Sequence, residues 1–232
     1  MLDTTHFLWY SSVAVQFLFC VYLVWTRLAR SFPTFTIYLA LSVIVSLCAT
    51  YFMRGAQGAR LPLSYTYYWL CAQPVILLAQ AAVVLEVHAS MWKGHESVVR
   101  QTRPLFLFAL LTALVAAAIP VRAELNRAES FGLIPLMHFE FLVKRYVSSV
   151  LAIFLILSAV LFIAVVRDAW QSSLLRHEGM LAAYLGLYAT AAFIIEMGVQ
   201  KSVVNDYVAA GLTLCFVIWT SVFRPQGALV AS

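Results

Sequence analysis

The sequence predicts an all-α membrane protein, a bundle of seven transmembrane helices, and three observations predict it. Of the 232 residues, 63% are hydrophobic and only 11% charged, whereas soluble domains carry about a quarter charged residues. The apolar residues fall into seven blocks, each near the ~20 residues a helix needs to cross ~30 Å of hydrocarbon. Basic residues flank those blocks, as they do at membrane–water boundaries. One transmembrane domain, 1–232, accounts for the chain, because no stretch outside the blocks is long enough for a second folded unit.

The first block runs over 7–25 and closes at Thr26 and Arg27. No basic segment precedes it and no small-residue cleavage site follows it, so it is expected to be a retained helix rather than a signal peptide. A short turn with Arg30 and Pro33 leads to the second block, 35–53, in which Ser42, Ser46 and Thr50 recur every four residues and give one helix face a small polar seam. The glycine-rich loop 54–64 is a turn signal. The third block, 67–88, opens on Tyr67, Tyr68 and Trp69 and is followed by Trp92, aromatics suited to both interfaces. It carries Gln73, Pro74 and Gln80, which bare lipid tolerates poorly, so this helix is expected at the centre of the bundle with others around it.

The polar stretch 93–103 reads as a loop, with Pro104 as the first-turn residue of the fourth block, 104–121. Ala109, Ala113 and Ala117 form a small-residue stripe there that permits close helix approach. The longest loop follows, and its second half is amphipathic enough that the fifth helix is expected to begin near Pro135, ahead of its apolar part at 146–166. A polar loop, 167–179, precedes the sixth block at 180–199; the seventh spans 207–223. An odd number of crossings puts the termini on opposite sides. With the N-terminus outside and the C-terminus inside, eight Lys and Arg lie inside and seven outside. The short basic loop after the first helix favours that orientation.

Composition excludes several functions. The net charge of +5 comes from residues that flank apolar blocks. It points to orientation and to contact with anionic lipid rather than to nucleic acid. Cys20, Cys48, Cys71 and Cys215 all sit inside apolar blocks without CxxC spacing, which is expected of small buried side chains. The five histidines, at 6, 88, 95, 138 and 177, are placed by sequence at block ends or in loops, so neither haem nor metal is expected. No catalytic motif is present, and no cofactor is expected.

The candidate functional residues are therefore few. Gln73 and Gln80, seven apart, share a face of the third helix and, with Pro74, are candidates to line a polar path; interhelical hydrogen bonding and a kink are the structural alternative. Glu86 and Glu196 are the acids embedded in apolar blocks, where ionisable groups are functional candidates. Glu86 lies 19 residues beyond Tyr67, about 28 Å along a helix. This puts it at the inner interface, within reach of an ion pair with Arg27, Arg30 or Arg167. Glu196, 16 residues after Met180, or about 24 Å, belongs to the outer third, with Lys201 or Arg54 as expected partners. Glu86 with His88 is the weakest alternative, an enzyme acting on lipid head groups.

Arg30, Phe32, Pro33, Phe35 and Tyr38, followed by Tyr67, Tyr68, Trp69 and Glu86, form a pattern over the first hundred residues. The pattern resembles a family of small, uncharacterised bacterial seven-helix membrane proteins. A looser likeness is to the seven-helix input modules of bacterial sensor kinases. The resemblance implies a seven-helix bundle in the bacterial inner membrane and no particular activity. The expectation is a non-enzymatic sensor, scaffold or subunit module acting through a protein partner or a second copy, in contact with membrane lipids. The alternative is a small-molecule or ion transporter whose path is lined by the third helix.

Overall fold

The computed structural model of the chain describes residues 4–53, 62–125, 133–166, 169 and 172–222. Among these there are seven α-helices and no strand: α1 (Thr4–Trp25), α2 (Pro33–Met53), α3 (Leu63–Met91), α4 (Glu96–Leu125), α5 (Leu133–Val165), α6 (Ser173–Glu196) and α7 (Lys201–Val222). All seven are long and apolar enough to cross a membrane.

Six of the helices form a closed circuit. α1 packs on α2, α2 on α3, α3 on α5, α5 on α6, α6 on α7, and α7 back on α1. α3 also reaches across to α6, and α4 is seated on α5. α3 is the most enclosed of the seven spans, which explains how it holds two glutamines at membrane depth: neighbours rather than lipid meet them. Leu78, Phe108, Leu157 and Val160 are instead exposed on the perimeter, where hydrocarbon is their solvent.

The centre of the circuit is aromatic. The Phe19 ring lies 6.0 Å from that of Phe35 and 5.7 Å from that of Trp219, and Phe35 and Trp219 are 4.9 Å apart, centroid to centroid. The small-residue stripe on α4 does what its spacing predicts: Ala113 and Ala117 are buried where α4 meets its neighbour. The polar seam on α2 meets α1, where the Ser42 hydroxyl donates to Gln16 Oε1 at 3.1 Å.

The α1–α2 turn is built on Arg27, which takes a left-handed conformation (φ 61°), and a 3-10 turn over Leu28–Arg30. Pro33 then opens α2 at the helix position where a missing N–H costs nothing. Helix starts are where the sequence expectations need correction. α4 begins at Glu96, not Pro104, so the polar stretch is largely helix and Pro104 lies inside it; the carbonyl it frees, that of Arg100, is on an exposed turn. α6 begins at Ser173 rather than Met180, and α7 at Lys201 rather than Tyr207. α5 starts at Leu133, close to the expected Pro135.

Candidate functional site

The polar side chains of the interior form two groups, one at mid-depth and one at the end of the bundle where α3 finishes and α6 begins. The mid-depth group starts from Gln80. Its Nε2 donates to the Tyr38 hydroxyl at 3.1 Å, and the Tyr38 and Tyr184 hydroxyls are 2.5 Å apart. Tyr188, one turn along α6, stacks edge-on against Tyr184. The Lys144 ammonium lies 4.9 Å from the Tyr188 ring and 5.7 Å from that of Trp69. Both Gln73 and Gln80 are buried, and the Oε1 of each lacks a hydrogen-bond partner among the described residues.

Pro74 does not join them. Gln73 faces inward, while Pro74, one residue on and so rotated by ~100°, is exposed. It borders an apolar groove of about 410 Å³ together with Leu78, Leu110 and Leu114. The proposed trio is thus two interior glutamines and a lipid-side proline.

The second group is denser in chemistry. His88 sits in the last turns of α3, 2% exposed. Its Nδ1 is 2.8 Å from the Ser158 hydroxyl of α5 and its Nε2 is 2.8 Å from the Thr102 hydroxyl of α4. Ser158 Oγ also accepts from Trp92 Nε1 at 3.2 Å. Thr102 Oγ1 lies 2.9 Å from the Val98 carbonyl. Glu178 of α6 neighbours Ser158. Glu178 is 0% exposed, and neither carboxyl oxygen has a hydrogen-bond partner at good geometry among the described residues. Next to it in sequence, His177 turns toward α7, where its Nδ1 accepts from Trp219 Nε1 at 2.8 Å between the Phe32 and Phe35 rings.

The histidine expectation is therefore corrected. His88 and His177 are buried inside helices, not set in loops, because α3 and α6 both extend further than their apolar blocks. Glu178 was missed with them. The signal was available: Leu174, Leu175, Glu178, Leu181, Ala182 and Leu185 continue one helical periodicity through the supposed loop.

Glu86 has partners other than arginine. Its Oε1 accepts from the Thr34 backbone N–H at 2.9 Å and its Oε2 from that of Phe35 at 3.0 Å. These are first-turn amides of α2, which have no carbonyl partner within their own helix. Phe32, preceding Pro33, has no side-chain oxygen to cap them, so α3 supplies one across the interface. The expected ion pair of Glu86 with Arg27 or Arg30 is absent among the described residues, and Arg27 and Arg30 are exposed. Arg167 lies outside the described residues. Glu196 forms an ion pair at the far end of the bundle, as expected, but with Arg145 of α5; Arg54 and the Lys201 side chain lie outside the described residues. Glu196 is thus remote from Gln73 and Gln80, and the structure does not unite the three.

Among the described residues no group of three or more His, Cys, Asp or Glu could hold a metal ion. No protein family, curated protein or solved structure matches the chain.

Proposed function

We propose that this chain is a non-enzymatic module of a bacterial inner membrane, a sensor or subunit that acts through a protein partner. We further propose that the Glu178–Ser158–His88–Thr102 chain is its proton-responsive element. The orientation is N-terminus outside, which sets this element at the cytoplasmic end. The observation that carries the proposal is Glu178 itself. A carboxyl with no exposure and no geometrically sound partner, at membrane depth, is expensive to keep.

The chain has two self-consistent proton arrangements. In one, Thr102 donates to His88 Nε2, His88 Nδ1–H donates to Ser158, and the Ser158 hydroxyl turns to a Glu178 carboxylate. In the other, a Glu178 carboxylic acid donates to Ser158, Ser158 donates to Nδ1, Nε2–H donates to Thr102, and Thr102 donates to the Val98 carbonyl. They differ by one proton, taken up at Thr102 and stored on Glu178, and each requires the Ser158 and Glu178 side chains to turn into a hydrogen bond that the structure leaves unmade. The charged neighbour of His88 is Arg103.

A hydrolytic reading of Ser158, His88 and Glu178 fits poorly. A catalytic acid must orient the imidazole, whereas Glu178 stands next to the serine, and both His88 ring nitrogens already have hydroxyl partners. Transport remains the second reading, favoured by the unpartnered Oε1 atoms of Gln73 and Gln80. It is weakened because neither the Pro74 groove nor the cavity at the α3–α4 turn is lined by either glutamine. Solute flux into liposomes that disappears in Gln80→Leu would favour it.

The test of the main reading is difference infrared spectroscopy of the protein in lipid nanodiscs during a pH titration. The expected result is a carboxylic-acid C=O band that rises on acidification, is absent in Glu178→Gln and shifts in His88→Gln. A spectrum with no band dependent on Glu178 overturns the relay.

A further inference from the structure

The α3–α4 cleft changes character along its length in a way that neither glutamines nor relay explain. At the turn between the two helices, a cavity of about 550 Å³ is lined by Trp92, Lys93, Arg100 and Arg103, with Glu96 the only acid on its wall among the described residues. None of the three cations is ion-paired among the described residues, and all three are exposed. Further along α3 and α4 lies the apolar groove of about 410 Å³, whose third wall is α5, with Phe139, Glu140 and Val143. The two line up by helical register. Arg103, Leu110 and Leu114 are spaced by seven and four and share a face of α4; Ala89 of the basic cavity shares a face of α3 with Leu78 of the groove. Leu110 lies about 10 Å and Leu114 about 16 Å beyond Arg103 along α4, which is the depth of one leaflet of ~15 Å. The cleft stays open because α4 is seated on α5.

We propose that this cleft binds one anionic glycerophospholipid, with its phosphate between Lys93, Arg100 and Arg103 and an acyl chain laid along Leu78, Leu110 and Leu114. Three cations against one carboxylate select negative charge. An apolar groove of leaflet depth directly beyond them selects a charge that carries a hydrocarbon tail, which a soluble phosphate lacks. Trp92 joins the site to the interior, since its ring borders the cavity while its Nε1 donates to Ser158. The inference goes beyond the relay: Trp92 and Arg103 adjoin it, but lipid retention is read separately from the Glu178 band, so either can fail without the other.

Native mass spectrometry of the purified protein in mild detergent, with phosphatidylglycerol and phosphatidylcholine of identical acyl chains in competition, tests the proposal. Phosphatidylglycerol is expected to be retained preferentially. With each surface cation contributing about a five-fold preference, Arg100→Gln/Arg103→Gln together lower phosphatidylglycerol affinity by about twenty-five-fold. Lys93→Gln alone lowers it by about five-fold. Ala81→Trp, which fills the groove wall, weakens retention of both lipids alike. Equal retention of the two lipids by the unmodified protein overturns the proposal, as does a preference that survives the double substitution. Displacement of the lipid by inorganic phosphate alone assigns the cations to a soluble anion and overturns it too. Unchanged retention in Ala81→Trp removes the acyl chain from the groove.

Discussion

Glu86→Gln and Glu86→Ala separate two accounts of a carboxylate near a membrane surface: partner of an arginine, or cap of a neighbouring helix. Here it accepts two backbone N–H bonds, of 2.9 and 3.0 Å, at the start of α2. Hydrogen bonds to a charged acceptor contribute about 1.5–3 kcal/mol each, and a negative charge at a helix N-terminus adds ~0.3–1 kcal/mol. Glutamine keeps one acceptor oxygen but presents its NH2 group to the second amide, so it forfeits one bond and the charge, about 2–4 kcal/mol in all. Alanine leaves both amides without partners and is expected to cost about 3–7 kcal/mol. The assay is reversible unfolding in lipid–detergent micelles titrated with SDS, followed by helical circular dichroism. Arg27→Gln and Arg30→Gln serve as comparison and should each change stability by less than ~0.5 kcal/mol, as exposed residues do. If both Glu86 variants stay within ~0.5 kcal/mol of the parent while an arginine variant falls by more, the capping account is wrong and the ion pair is restored.

Trp219→Phe keeps the ring in its aromatic cluster but removes the N–H that His177 Nδ1 accepts from at 2.8 Å. A buried acceptor left without its donor should cost about 1–3 kcal/mol in the same unfolding assay, and His177→Phe on top of it should recover part of the loss. The Arg145–Glu196 pair is expected to be weak, since the Glu196 side chain is 46% exposed. A double-mutant cycle with alanine at both positions should give a coupling of only ~0.2–1 kcal/mol, falling with added salt.

The seven helices long and apolar enough to cross a membrane were legible in the sequence because hydrocarbon imposes a length on every span. The enclosure of α3 was legible for a related reason: Gln73 and Gln80 have no affordable place on the lipid face. Helix starts were not legible at the end of the bundle where α4 and α6 begin. Hydropathy scores a polar residue as solvent-facing, yet His177 and Glu178 are polar, helical and buried at once. The same blindness hid the relay, since Thr102 lay in an assumed loop and Ser158 was one more small residue in an apolar block. The role of Glu86 was beyond sequence for a different reason. An orphan backbone amide has no sequence signature, and it calls for a carboxylate 51 residues away from Phe35.

α1 is held by α2 on one side and by α7 on the other, and that closure has a temporal consequence. Phe19, nearly inaccessible in the finished protein, packs on Phe216 and Trp219, which emerge from the ribosome roughly 200 residues later, about 10–40 s at ~5–20 residues per second. Until then the side of its ring not met by Phe35 of α2 faces acyl chains, which are as apolar as the partners it awaits. Gln16, three residues earlier, does not wait as long: its hydrogen-bonding partners are Ser12 of its own helix and Ser42 of the next one made. On α1, groups that lipid penalises are matched by early arrivals, and groups that lipid welcomes are left for the last segment to cover.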